Sequence, residues 1–132
     1  MACCALLLLF AGCRNPGPDV QMVEGVVTLD DKPLAGAALT FIPSTAGGIS
    51  AAGLTRDDGR YVLSATVGKR FGEGTVQGEY VVTIHKLVDP PAGGEPVLAT
   101  PRVYADRATT PLRAVVNKGS NKLDFSLKTP SK

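Results

Sequence analysis

Apolar and polar residues alternate along several short stretches of this chain. In the first stretch, Val23 to Leu29, the residues Val23, Val27 and Leu29 share one parity while Glu24 takes the other. Successive side chains of a strand point to opposite faces, so this pattern predicts a β-strand with one buried face. Gly25 falls on the buried parity, where the missing side chain leaves room for a neighbouring segment to approach.

Six further stretches repeat this alternation and are separated by turn residues. The predicted strands are 37–42, 51–55, 60–66, 78–85, 112–116 and 123–128. Asp58-Gly59 predicts a hairpin with a primed turn between two of them, because glycine adopts positive φ without steric cost. The pattern therefore predicts an all-β fold, a seven-stranded antiparallel β-sandwich whose sheets pack face to face.

One parity of each predicted strand supplies the larger apolar residues of the expected core. These residues are Val23, Val27, Leu29, Leu39, Phe41, Leu54, Tyr61, Leu63, Tyr80, Val82, Ile84, Leu112, Val116, Leu123, Phe125 and Leu127.

Composition and charge narrow the class of protein. The chain has 132 residues, which favours one domain, and its 15 glycines and 10 prolines suit short strands joined by turns. Its 14 basic and 12 acidic residues are interspersed and give a net charge of +2. A nucleic-acid partner is therefore not expected, because such proteins carry clustered basic residues.

The N-terminus differs in character from the rest of the chain. All three cysteines, Cys3, Cys4 and Cys13, precede the predicted domain, so they predict no disulfide framework within it. The apolar run Ala5 to Gly12 is far shorter than the ~20 residues that span a bilayer, but it fits the apolar region of a secretory signal. The alternative is that residues 5–11 form a buried element of the fold.

The run ends in Phe10-Ala11-Gly12-Cys13, which resembles the lipobox of bacterial lipoproteins. That resemblance implies a signal peptide over residues 1–12, a lipidated Cys13 as the first mature residue, a tether over 13–21 and a domain over 22–129. It implies a membrane-anchored protein of the cell envelope. Arg14 and Asn15 follow the cysteine without the aspartate that retains some lipoproteins at the inner membrane, which favours the outer membrane.

Candidate catalytic and metal-binding chemistry is sparse. His85 is the single histidine, and a metal site needs several converging ligands. Asp30-Asp31 and Asp57-Asp58 are explained by turn chemistry rather than by calcium. The glycine-rich stretch 68–74 lacks the spacing of a phosphate-binding loop. We therefore expect no enzyme, no metal and no cofactor.

Two aromatic residues are candidates for ligand contact. Phe71 lies in the glycine-rich stretch, which is predicted to be a mobile loop with this ring as its local anchor. Tyr104 lies in the long aperiodic segment 88–111, which divides into a mobile tip over 89–96 and an ordered return. Loops of such length in compact domains are usually functional or disordered.

The order of several motifs carries a resemblance over residues 23–128. Lys-Pro-Leu-Ala-Gly-Ala at 32–37, Phe-Ile-Pro at 41–43, Thr-Arg-Asp-Asp-Gly-Arg-Tyr at 55–61 and Gly-Glu-Tyr-Val-Val-Thr-Ile at 78–84 together resemble the carboxypeptidase regulatory-like, or transthyretin-like, β-sandwich domain. The resemblance implies a non-catalytic binding or spacer module that contacts a protein, peptide or glycan of the envelope.

The alternative function is a purely structural surface protein without a ligand. Exposed aromatic residues would distinguish the two, because sugar-binding sites usually present Trp or Tyr. The chain has no Trp, and Tyr61 and Tyr80 fall on the core parity, which disfavours a strong glycan site.

Overall fold

The computed structural model describes residues 20–67 and 70–130, without the side chains of residues 66, 67, 70 and 71. The described residues are all-β, as expected, and their one helix is a 3-10 turn at Arg102–Tyr104. The strands are β1 (Val20–Gln21), β2 (Val23–Leu29), β3 (Lys32–Pro33), β4 (Ala38–Pro43), β5 (Ala51–Leu54), β6 (Arg60–Val62), β7 (Ser64–Val67), β8 (Arg70–Glu73), β9 (Thr75–Val76), β10 (Gly78–His85), β11 (Leu87–Val88), β12 (Val97–Leu98), β13 (Arg113–Val116), β14 (Asn121–Lys122) and β15 (Phe125–Leu127).

The larger sheet has six strands in the order β13-β10-β4-β5-β7-β8. All of its pairings are antiparallel. Its longest ladder is the β4–β10 pair, where Phe41 lies opposite Val82 and Leu39 opposite Ile84. Because these four residues share the inward face, the β4–β10 pair forms one wall of the core.

The second sheet is built around β2. The strands β6 and β3 pair antiparallel with β2, while β14 and β15 pair with it in parallel at one constant register. The expectation of a purely antiparallel sandwich is therefore wrong for the last strand. The alternation of residues 123–128 encodes a buried face but carries no information on strand direction.

Apolar residues from the inner faces of both sheets form one core cluster. The ring of Phe41 in the larger sheet packs edge-on against Phe125 in the second, with centroids 6.0 Å apart. Tyr80 and Tyr61 extend this contact on either side, at 5.7 Å from Phe41 and 6.3 Å from Phe125. The two sheets are thus joined by interlocking aromatic rings.

Most of the expected core is buried, and one member is not. Leu54 is 64% exposed, while Ala51 of the same strand is 3% exposed. The strand β5 turns Ala51 and Gly53 inward, so Leu54 falls on the outer parity. Leu29, Leu112 and Leu123 are only partly buried against the cluster.

The predicted strand 60–66 is divided between the two sheets. Its first part, β6, pairs with β2, and its second part, β7, pairs with β5. Leu63 lies at the crossing point, fully buried, and its N–H donates to the Val23 carbonyl at 2.9 Å. The alternation continues through the crossing, so the sequence alone does not reveal it.

The two turns predicted from aspartate and glycine residues are both present. Asp30 and Asp31 adopt φ of 50° and 69° and join β2 to β3 as a two-residue turn with both residues left-handed. At Asp58-Gly59 the turn is present, but it is not the primed turn we expected. Only Gly59 is left-handed there, and its N–H donates to the Arg56 carbonyl at 2.9 Å.

Two segments expected to be irregular contain strands. Residues 70–73, expected to be a mobile loop, form β8, which pairs with β7 through the backbone. Val20 and Gln21, expected to end the tether, form β1 against Thr75 and Val76. The proposed signal peptide, Cys13 and residues 14–19 lie outside the described residues.

Candidate functional site

Of the two aromatic candidates for ligand contact, only Tyr104 has a described side chain. Tyr104 is 9% exposed, and its hydroxyl accepts a hydrogen bond from the Lys128 N–H at 3.1 Å. The ring therefore packs in the core and offers no free face for a ligand to stack on. Phe71 lies on β8, but its side chain is not among those described. Its role in ligand contact stays a prediction.

The structure places His85 on a strand and the paired aspartates in turns. His85 ends β10, half-buried, opposite Ala38. Residues 20–67 and 70–130 contain no cluster of three His, Cys, Asp or Glu that could hold a metal. Asp58 Oδ1 accepts the Arg60 N–H at 3.1 Å, and Asp31 pairs with the Lys128 ammonium at 2.8 Å. These contacts are those of turn residues.

Asp30 anchors the end of the domain. Its carboxylate accepts hydrogen bonds from the hydroxyl and the N–H of Thr129, at 2.5 Å and 2.9 Å. The hydroxyl bond, followed by the backbone bond, holds the pKa of Asp30 below its usual value. This carboxylate thereby joins the residues that follow β15 to the turn between β2 and β3.

An apolar ribbon projects after the end of β10. It consists of β11 and β12, in which Leu87 pairs with Leu98 and Val88 with Val97. Opposed residues of a ladder share a face, so both faces of the ribbon carry apolar pairs. Leu87 is 57% exposed and Val97 50% exposed. We call this element the distal ribbon.

The distal ribbon lies far from the point where the chain enters the domain. β1, the first described strand, pairs with β9, which lies two residues before β10 begins. The ribbon begins two residues after β10 ends. With 8 residues in β10, the strand separates the two points by about 27 Å. Any anchor attached before Val20 therefore enters the domain at the end opposite to the ribbon.

A second feature is a pocket of about 310 Å³ on the outer face of the β2 sheet. Its lining residues are Glu24, Gly25, Val26, Arg56, Arg60, Tyr61, Val62 and Lys122. Three of these residues are cationic and one is anionic. We call this feature the basic pocket.

Strand pairing brings the charges of the basic pocket together. Lys122 lies opposite Glu24 through the parallel β14–β2 pair, and Arg60 lies opposite Val26 through the β6–β2 pair. Arg56 comes from the turn that precedes β6. Arg60 Nε lies 3.5 Å from Asp58 Oδ2, whereas Arg56 and Lys122 form no ion pair within the described part of the chain.

The backbone beneath the basic pocket is closely packed and held by hydrogen bonds. An added Cβ at Gly25 would overlap the carbonyl oxygen of Leu123 and lie 2.6 Å from its carbonyl carbon. The same oxygen accepts the Tyr61 hydroxyl at 2.5 Å, and Asp124 Oδ1 accepts the Val26 N–H at 2.9 Å. Burial, followed by the Asp124 charge, raises the pKa of Tyr61.

Neither surface was foreseen from the sequence. Arg56, Arg60 and Lys122 are separated by up to 66 residues (122 − 56) and meet only because the last part of the chain pairs with β2. The distal ribbon had a weak signal, since Leu87-Val88 and Val97-Leu98 flank the proline and glycine residues of its tip.

Comparisons with known proteins leave the family of this chain open. No protein-family model matches it, and no curated protein matches it. Among solved structures, a 9R-lipoxygenase from Cyanothece PCC8801 is similar over 84% of this chain, at 15% identity and a TM-score of 0.40. The matched region is 16% of that enzyme's chain. So weak a likeness carries no argument about fold or function.

The described residues contain no helix with the length and apolar character needed to cross a membrane.

Proposed function

We propose that this protein is a non-catalytic lipoprotein of the cell envelope, whose β domain binds a partner protein through the distal ribbon. The observation that carries the proposal is the exposure of Leu87 and Val97 on a two-stranded element. An isolated two-stranded ribbon is marginally stable in water. A partner that covers its apolar faces would stabilise the ribbon and gain contact area.

The proposed anchor is a lipid-modified Cys13, supported by the sequence Phe10-Ala11-Gly12-Cys13. Each buried methylene contributes ~0.8 kcal/mol, so two or three acyl chains hold such a protein stably on a membrane. The chain enters the domain at the end opposite to the ribbon. The ribbon would therefore face away from the membrane that holds the anchor, which favours a protein partner over that lipid surface.

We also propose that the domain is a carboxypeptidase regulatory-like, transthyretin-like sandwich. The order of its sequence motifs, the all-β content and the shared core of its two sheets support this proposal. The alternative of a purely structural protein without a ligand predicts that the distal ribbon has no partner. A glycan partner is less favoured, because Tyr61, Tyr80 and Tyr104 are all buried.

The test is crosslinking of the full-length protein in native envelopes, comparing Val97→Asp with Val115→Asp. Both residues are exposed strand valines, at 50% and 51%, and Val115 lies opposite Glu79, near the first end of β10. We expect a crosslinked species that Val97→Asp removes and Val115→Asp retains. A crosslinking pattern unchanged by Val97→Asp would contradict binding through the ribbon.

The anchor is tested separately by mass spectrometry of the membrane-extracted protein. We expect a mature chain that begins with acylated Cys13, and loss of this species in Cys13→Ser. A chain that retains Met1, or that carries an unmodified Cys13, would refute the lipoprotein proposal without bearing on the ribbon.

A further inference from the structure

We infer that the basic pocket binds the carboxylate of a small, partly apolar molecule. This inference does not depend on the distal ribbon or on the anchor. It rests on the charges, the floor and the rigidity of the pocket, which the proposed function does not use.

The charge of the rim favours an anion. The lining residues include three cations, Arg56, Arg60 and Lys122, and one carboxylate, that of Glu24. Two of the three cations, Arg56 and Lys122, form no ion pair within the described residues, so their charges are available to a ligand. A guanidinium presents a planar fork of donors that matches a carboxylate, and such charge-assisted bonds are about twice as strong as neutral ones.

The floor of the pocket favours an apolar group next to that charge. Val26 and Val62 lie on the outer parity of β2 and β6, are half-buried and line the pocket between the charged residues. A volume of about 310 Å³ is at the small end for ligand pockets. The pocket therefore suits a branched side chain of a few carbon atoms.

Glu24 on the rim favours a monoanion. Its carboxylate repels a second negative charge on the ligand, which disfavours a phosphate dianion relative to a carboxylate. It also offers an acceptor for a ligand N–H. Both features match the C-terminal residue of a peptide, while the pocket itself fits any carboxylate on a small branched group.

The pocket is built before a ligand arrives. The carbonyl of Leu123 is held by the Tyr61 hydroxyl, and the Val26 N–H is held by Asp124. Because these bonds fix the backbone below the floor, binding requires little ordering of the protein itself. Only the long side chains on the rim lose freedom.

The experiment is ligand-observed saturation-transfer NMR on the detergent-solubilised full-length protein. The probes are N-acetylvaline, 3-methylbutanoate, N-acetylvalinamide, acetate and inorganic phosphate. We expect at least one of the two branched carboxylates to bind at least fivefold more tightly than acetate, phosphate and the amide. Tighter binding of N-acetylvaline assigns the pocket to peptide ends, and tighter binding of 3-methylbutanoate assigns it to free organic acids.

Variants locate the binding. Arg56→Ala and Lys122→Ala should each weaken the preferred carboxylate about fivefold, because each removes one cation of the rim. Lys118→Ala, which removes an exposed lysine outside the lining residues, should leave binding unchanged. Glu24→Gln should raise the affinity for phosphate. An unchanged melting temperature in Arg56→Ala and Lys122→Ala would show that the fold is intact.

Several results would overturn the inference. Equal binding of N-acetylvalinamide would show that charge plays no part, and equal binding of phosphate or acetate would show that the apolar floor plays none. Absence of saturation transfer for every probe at concentrations up to about 50 mM would show that the pocket does not bind small carboxylates. Equal weakening by Lys118→Ala would indicate general electrostatic attraction rather than this site.

Discussion

Replacing Gly25 by alanine tests the close approach of the Leu123 backbone to β2. The added Cβ would overlap the Leu123 carbonyl oxygen and lie 3.1 Å from Asp124 Oδ1. Neither atom can move aside freely. The first belongs to the backbone, and the second accepts a hydrogen bond from the Val26 N–H. The segment that joins β14 to β15 must therefore move away from β2.

The cost follows from what that movement breaks. Overpacking alone costs about 1 to 3 kcal/mol. Withdrawal of Leu123 also strains or breaks the bond from Tyr61, at 2.5 Å, and the bond from its own N–H to the Glu24 carbonyl, at 2.8 Å. At about 1 kcal/mol for each bond, the total is about 3 to 5 kcal/mol, a large part of a typical folding free energy. We expect the melting temperature to fall by roughly 10 to 20 °C.

Thermal unfolding followed by circular dichroism is the assay, with Gly72→Ala as the matched control. Gly72 also lies in a strand without a left-handed φ, and an added Cβ there meets no atom within 4 Å. We expect the control to change stability by less than about 1 kcal/mol. If Gly25→Ala melts within about 2 °C of the unmodified protein, the close packing of Leu123 on β2 is wrong.

The remaining predictions concern the core parity and two titrating groups. Phe125→Asp should destabilise the fold by at least about 3 kcal/mol, because it opens a cavity and buries an unpaired carboxylate. Ser126→Asp, at an exposed position, should shift the urea midpoint little. Equal shifts of the midpoint in the two variants would refute the assigned buried face. The pKa of Tyr61 is raised, so its neutral form contributes stability that is complete below its unfolded value of 10.0 and is lost as pH rises above it. Ultraviolet titration should show a late-titrating phenol that is absent in Tyr61→Phe, and persistence of that phenol in the variant would contradict this assignment. The pKa of Asp30 is lowered from 3.8, so its contribution to stability is complete above that value and is lost as pH falls through the folded pKa. Asp30→Asn should therefore reduce the loss of stability at acidic pH. An unaltered loss would exclude a role for the hydrogen bonds between Asp30 and Thr129.

The alternation of residues predicted the inner face of the domain well. Val23, Val27, Phe41, Tyr61 and Phe125 are all buried where parity placed them. Parity is local, since each strand residue reports its own face relative to its neighbours. Gly25 was likewise recognisable, because a glycine on a buried parity marks a close approach.

Pairing between distant strands was not predictable from the same pattern. Leu63 continues the alternation of its neighbours while the chain passes from one sheet to the other. The strand β8 was mistaken for a loop because it lies within the glycine-rich stretch 68–74, although backbone pairing does not require side chains. Leu54 was assigned to the buried parity of the predicted strand 51–55, whereas β5 turns Ala51 inward and leaves Leu54 exposed.

The basic pocket escaped prediction for a related reason. The charges of Arg56 and Lys122 become neighbours only through the parallel pairing of β14 with β2. Local sequence patterns do not encode that register, because it depends on which distant strand completes the sheet. The distal ribbon escaped because two strands of two residues lie below the length at which alternation is informative.

The pairing of the first long strand with the last also sets the order in which the chain can fold. The bond from the Val26 N–H to Asp124 joins residues 98 positions apart. Contacts of such long sequence separation form slowly, because a large loop must close before they contribute. The inner face of β2 therefore stays without its closing strand until Leu127 has been synthesised, so an N-terminal part of the domain cannot complete this sheet on its own.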